Sequence, residues 1–275
     1  MMMPLLACGQ VRREVPGWVT TPADSLLAER VLAELALHAG ESVPDLMVRA
    51  GNALIGQPYV AGTLDDEPGE KLRIYLTRTD CILFVETCLA LARTTVQGGD
   101  FQVFADEIRQ SRYRGGRVES YADRLHYTSE WGMQGEARGT LRDVTQDLGG
   151  IRLDHPINYM SSHPDSYPLM DDVDAIREAE AGINAKPRYY IPKNRLGEAL
   201  KGIRSGDIIG LVTSVEGLDI SHVMMAVVDK PGTVRLLHAS TGPMKVVIDS
   251  RTLPEYLAAR SSVTGIQVLR PQALQ

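Results

Sequence analysis

The stretch Arg78-Thr79-Asp80-Cys81-Ile82-Leu83-Phe84-Val85-Glu86-Thr87-Cys88-Leu89-Ala90-Leu91 changes abruptly from a polar run to a long apolar helical pattern, and the change falls on a cysteine. Thr79 and Asp80 are N-cap residue types whose side-chain oxygens accept from the unpaired first-turn N–H groups, and Gly98-Gly99 supplies a stop. The pattern therefore predicts a helix over about 81–96 with Cys81 in its first turn. Free amides and the positive end of the helix dipole then face the Cys81 sulfur, which favours thiolate over thiol and suits a nucleophile. Cysteine is also among the most buried residue types, so packing is the competing reading until partners are found elsewhere.

The composition narrows the classes. A chain of 275 residues with 44% hydrophobic side chains can bury a sizeable core. A net charge of -6 without a block of like charges speaks against a nucleic-acid partner and against a basic membrane-surface helix. No apolar run reaches the length of a transmembrane helix. Three cysteines cannot build a disulfide scaffold. Cys81 and Cys88 would be separated by about 10.5 Å of rise along one helix, beyond the ~7 Å limit for a bridge, so Cys88 reads as packing. Met1-Met2-Met3-Pro4-Leu5-Leu6-Ala7-Cys8-Gly9 ends like a bacterial lipoprotein signal, which makes Cys8 a candidate lipid anchor. The segment lacks a basic start and a full apolar stretch, so a short N-terminal tail is the alternative.

Helical periodicity recurs over about 24–39, 44–54, 101–110 and 172–182, and a strand-like run, 72–76, leads into Cys81. The segment 121–131 is rich in Arg, His, Tyr and Trp without periodicity and reads either as a ligand-facing loop or as aromatic packing. Residues 132–200 are long, polar and irregular, the pattern of elaboration over a site. From Gly206 the period changes to two, with short apolar strands at about 207–213, 221–229, 233–240, 245–249 and 265–269 and a short helix at about 253–259. A helical first half followed by an antiparallel sheet predicts an α+β fold.

Two histidines fall on the central hairpin. His222 opens the strand Ser221-His222-Val223-Met224-Met225-Ala226-Val227-Val228, and His238 ends Val234-Arg235-Leu236-Leu237-His238. A turn centred on Lys230 places them directly opposite, on one face, with Cβ atoms roughly 5 Å apart. A slip of one residue would send them to opposite faces. Paired with Cys81 they supply a nucleophile, a general base and a group that orients the base.

These residues belong to a series of ordered motifs: Gly-Gln-Pro-Tyr at 56–59, Asp-Cys followed by Phe-Val-Glu at 80–86, Arg-Leu-His-Tyr-Thr-Ser-Glu-Trp at 124–131, Ser-His-Pro-Asp-Ser-Tyr-Pro at 162–168, Tyr-Ile-Pro-Lys at 190–193, Gly-Asp-Ile-Ile at 206–209, Asp-Ile-Ser-His-Val at 219–223 and Leu-Leu-His-Ala-Ser at 236–240. In this order they resemble a bacterial N-acetylmuramoyl-L-alanine amidase-like family within the NlpC-type, papain-like cysteine hydrolases.

The resemblance implies a papain-like core and hydrolysis of the amide between N-acetylmuramic acid and L-alanine in muropeptides, through a Cys81-His222-His238 triad and a thioester, without a cofactor or metal. Tyr59 and the Cys81 backbone N–H would bind the oxyanion. Arg124, His126, Tyr127 and Trp131, with Ser162, His163, Asp165 and Tyr167, would bind substrate: Arg124 a carboxylate, Tyr127 or Trp131 a sugar ring. Relatives often carry small residues after the base histidine, whereas Met224 here is expected to narrow the site. Residues 1–20 are then a tail or truncated signal, and 21–272 a single catalytic domain with insertions around 112–200. A periplasmic or membrane-tethered location fits that chemistry, with the cytoplasm as the alternative. A stem-peptide endopeptidase acting at the D-glutamyl bond would use the same triad. A zinc-binding or non-catalytic cell-wall recognition module is the rival of another class, though no close ligand pair supports it.

Overall fold

The computed structural model describes residues 13–15, 17–65 and 68–274. Cys8 and its candidate lipid anchor lie outside these residues. A small hairpin, β1 (Arg13–Val15) with β2 (Trp18–Thr20), precedes the helices α1 (Pro22–Ala36), α2 (Val43–Ala53), α3 (Cys81–Gln97), α4 (Phe101–Arg112) and α5 (Thr128–Ala137). The elaborated middle contains β3 (Leu141–Asp143), β4 (Ile151–Arg152), α6 (Tyr159–Ser162), α7 (Val173–Asn184), β5 (Tyr189–Pro192) and α8 (Leu196–Ala199). The last part supplies β6 (Ile208–Thr213), β7 (Ile220–Lys230), β8 (Thr233–Ser240), β9 (Lys245–Ile248), α9 (Leu253–Ala258) and β10 (Val263–Pro271). One antiparallel sheet runs β4-β5-β10-β6-β7-β8-β9, with β3 paired to β10. The fold is α+β, as the change of period implies.

The sheet separates two cores. Val223, Met225, Leu237 and Ala239 pack with Phe84, Val85 and Cys88 of α3 and with α2. The alternating residues Met224, Ala226, Val234 and Leu236 pack with Leu253, Tyr256 and Leu257 of α9 on the other face. Burial of β7 on both faces explains its unbroken apolar run. Met224 is fully buried in this second core, so it does not narrow the site as the sequence suggested.

α3 is the central helix because both of its ends are satisfied locally and its length is buried. Asp80 Oδ1 accepts the Leu83 N–H at 2.9 Å at the N-cap. Gly98 closes the other end in the left-handed conformation, φ 64°, with its N–H and that of Gly99 returning to the last-turn carbonyls. The run 72–76 that feeds α3 is extended without forming a strand of its own; it bridges to β2, Val19 N–H donating to Leu72 O at 2.8 Å and Ile74 N–H to Val19 O at 2.9 Å. Buried Asp24 of α1 pins the next residues by accepting the Leu76 and Thr77 N–H groups at 2.8 and 2.7 Å. A buried Arg112–Glu86 pair at 2.9 Å locks α4 to α3. The approach to Cys81 is therefore held from three directions.

Candidate active site

Cys81 is the first residue of α3, and its sulfur receives the Val223 backbone N–H on β7, one residue beyond His222. The pairing of β6 with β7 explains why this end of the strand is special. Gly210 faces Val223 and Val212 faces Ile220, so β7 carries one extra residue across Ser221-His222. A bulge bends a strand and re-aims its side chains, and here it does so at the base candidate.

His222 Nε2 lies 2.8 Å from His238 Nδ1, with the rings nearly perpendicular. The histidines share a face as expected, but they are not the direct partners the sequence suggested. Val227 faces Arg235 and Met225 faces Leu237, a register that carries His238 toward Met224 and makes the two histidines diagonal neighbours. A pairing offset by two residues preserves the face, and imidazole length spans the diagonal. Because His222 spends Nε2 on His238, only its Nδ1 is left for another partner.

The electrostatics reverse one expectation. Burial, reinforced by the Asp80 carboxylate, pushes the Cys81 thiol up to about 11, outweighing the N–H groups of Val223 and Ile82 that favour thiolate. Burial pulls His222 down to about 3 and His238 down to about 4. The resting pair is therefore neutral thiol and neutral imidazole, not thiolate and imidazolium. The helix end favours the anion, but the cap that builds this helix end is itself an anion. Tyr59 sits on the loop before α3, its backbone N–H on Met244 O at 2.9 Å and its strand bridge to Thr79 holding it beside the Asp80-Cys81 turn. Burial, followed by Cys81 and Asp80, pushes its hydroxyl up to about 12, so it stays a donor.

His238 is fully buried, and Tyr256 of α9 stands edge-on to it at 5.5 Å. The Asp249 carboxylate lies near it, Oδ2 being 3.8 Å from Nε2. Asp249 has no counterpart in the sequence reading; its one signal is an acidic residue closing the apolar strand Val246-Val247-Ile248.

The substrate-binding candidates divide sharply. Arg124 is buried with its fork already taken, by Asp65 at 2.7 Å and Glu70 at 2.7 Å, so it has no free edge for a substrate carboxylate. Trp131 and Tyr127 are buried rather than open for stacking: Trp131 donates to Ser111 Oγ at 3.0 Å and Tyr127 to Glu180 Oε1 at 2.7 Å. His126 is held at the Tyr121 carbonyl, 2.9 Å, and burial lowers it to about 3. The segment 124–131 is thus the packing reading made real. Ser162, His163 and Asp165 are exposed and Tyr167 is half-buried, on a module whose Asn158 and Tyr159 N–H groups bond Gly217 O in the loop that leads to His222. A cavity of about 760 Å³ under Trp18, Glu70, Leu72 and Arg109 shares no lining residue with this site.

Among the described residues no helix is long and apolar enough to cross a membrane. Comparison with known proteins finds one matching family model and several similar solved structures. The crystal structure of an N-acetylmuramoyl-L-alanine amidase from Bacteroides uniformis is 34% identical, with a TM-score of 0.76 over 84% of this chain and 99% of that one. A Bacteroides fragilis structure provisionally named a xylanase is 36% identical, with a TM-score of 0.75 over 80% and 98%. A Legionella pneumophila protein shares the fold at 22% identity, TM-score 0.70, over 91% and 96%. No functionally curated protein matches the chain. The model of the N-acetylmuramoyl-L-alanine amidase-like family matches residues 49–266, which takes in Tyr59, Cys81, His222 and His238, and this chain belongs to that family.

Proposed function

We propose that the chain is a cysteine hydrolase of the papain-like, NlpC type that cleaves the amide between the lactyl group of N-acetylmuramic acid and the L-alanine of a muropeptide stem. The observation that carries this reading is the 2.8 Å bond between His222 Nε2 and His238 Nδ1 at the bulged end of β7, where Cys81 meets the strand. In this mechanism His222 Nδ1 takes the thiol proton as the sulfur attacks the lactyl carbonyl carbon. The oxyanion that forms is met by the Tyr59 hydroxyl and the Cys81 backbone N–H. The C–N bond breaks as His222 returns the proton to the alanine nitrogen, leaving a thioester. Water then attacks, His222 takes one of its protons, and collapse releases a carboxyl product and the thiol. Proton uptake concerted with attack suits a pair that rests neutral. A bacterial envelope location fits that substrate.

Two rival chemistries fit the geometry less well. A zinc ion shared by Cys81, His222 and His238 needs ring nitrogens aimed at one point, whereas Nε2 of one ring is bonded to Nδ1 of the other. Glycoside hydrolysis needs two opposed carboxylates. The carboxylates described beside these residues are Asp80, which caps α3, and Asp249, which Arg251 grips.

The test is digestion of defined muropeptides by wild type and Cys81→Ala, with products weighed by mass spectrometry. Release of the intact stem peptide by wild type alone is expected. A product that retains muramoyl-L-alanine would replace the amidase with an endopeptidase, and full activity of Cys81→Ala would sink the mechanism.

A further inference from the structure

We infer that Asp249, clamped by Arg251, selects the tautomers of the His222–His238 pair and is thereby a positioning residue for the base, an inference that rests on the roles proposed above for Cys81 and His222. Three observations place it there. The β8–β9 register sets Leu237 opposite Ile248, so Asp249 follows directly, its N–H on Leu236 O at 2.8 Å, diagonal to His238. Its carboxylate is fixed by the Arg251 side chain at 2.9 and 2.7 Å and by the Arg251 backbone N–H at 2.9 Å. His238 Nε2 is buried without a hydrogen-bond partner among the described residues, and Asp249 Oδ2 is 3.8 Å away.

A neutral imidazole carries one N–H, so a bond between two neutral rings has two arrangements. In the first, His222 Nε2–H donates to His238 Nδ1, His238 keeps its proton on Nε2, and His222 Nδ1 is free to accept from the thiol. In the second, His238 Nδ1–H donates to His222 Nε2, His222 is protonated on Nδ1, and the base is blocked. The second also turns the His238 Nε2 lone pair toward a carboxylate, which is repulsive, whereas the first turns an N–H toward it. The gap of 3.8 Å is longer than a hydrogen bond but well within the reach of a charge across a low-dielectric interior. The other groups facing the pair do not supply this bias. Tyr256 meets His238 edge-on, Arg260 lies over the Tyr256 ring at 3.4 Å, and both Arg260 and Arg251 disfavour the cationic form of His238 without choosing between its neutral tautomers. Asp249 stays charged, because the Arg251 side chain holds it down to about 2. Without it, nothing described beside His238 Nε2 favours the first arrangement over the second.

The experiment compares wild type with Asp249→Ala and Asp249→Asn, as full chains labelled at the histidine ring nitrogens. Wild type should show His222 and His238 protonated on Nε2. Asp249→Ala should shift both protons toward Nδ1, lower kcat on muropeptide by about 10- to 100-fold and leave KM within about twofold. Asp249→Asn, which keeps a carbonyl acceptor, should retain the Nε2 pattern and lose less. Unchanged tautomers in Asp249→Ala, or an unchanged kcat, overturn the inference. Should Asp249→Ala fail to fold, a wild-type His222 protonated on Nδ1 does so, and Nε2 supports it. A wild type that leaves muropeptides intact defeats the amidase reading instead, and the ring-nitrogen spectra still decide the role of Asp249.

Discussion

His222 and His238 touch at 2.8 Å from diagonal positions of the β7–β8 hairpin, with a bulge in β7 turning the first ring toward the second. The contact consumes one nitrogen of His222 and reserves the other, which is why the arrangement reads as a base with its orienting partner. The proposed chemistry depends on that reservation and on the proposed donors Tyr59 and the Cys81 N–H.

Tyr59→Phe removes the proposed side-chain donor to the oxyanion while keeping the ring that packs against the core. Loss of one such donor typically lowers kcat by about 100- to 1000-fold. The expected result is a fall of that order with KM little changed in steady-state muropeptide assays. A kcat within threefold of wild type would remove Tyr59 from the oxyanion site.

Cys81 should alkylate slowly at neutral pH. With the thiol pushed up to about 11 and His222 down to about 3, no ion pair is stored in the free protein. The iodoacetamide rate, followed by intact mass, should therefore climb beyond pH 9. A plateau reached near pH 6 would establish a resting thiolate and contradict this electrostatic picture.

Arg124→Ala should act on stability before it acts on substrate. The substitution leaves the nearly buried Glu70 carboxylate without its guanidinium partner, and breaking one side of a buried pair costs about 3–5 kcal/mol. Urea denaturation should show that loss, and Arg124→Lys should recover only part of it because a single ammonium cannot span both Asp65 and Glu70. Unchanged stability with a raised KM would return Arg124 to substrate binding.

Acid should weaken the fold by forcing buried neutral histidines to charge. Burial lowers His126, His222 and His238 below their ordinary range, to about 3, 3 and 4. Between those values and the unfolded value near ~6.5 the unfolded chain binds more protons, so stability is complete above ~6.5 and falls as pH drops, with a slope of at most about 1.4 kcal/mol per pH unit for each histidine. Urea midpoints measured at pH 7, 6 and 5 should decrease in order. A flat profile would show these rings to be solvated.

Local chemistry made much of this protein legible in one dimension. Asp80 and Gly98 delimit α3, the period of two announces β6 through β10, and parity alone keeps His222 and His238 on one face, because side-chain alternation survives a shift of two residues. What the sequence could not determine depends on non-local neighbours. The fork of Arg124 is taken by carboxylates 54 and 59 residues away, so its burial is invisible to any window around it. α5 went unread because its glycines and mixed polarity leave no clear stripe, and the aromatic side chains that looked displayed are packing. The bulge at His222, the protonation of Cys81 and the approach of Asp249 to His238 each arise from groups brought together only when the sheet closes on its helices. Desolvation and through-space charge have no sequence period, so tertiary structure alone decides them.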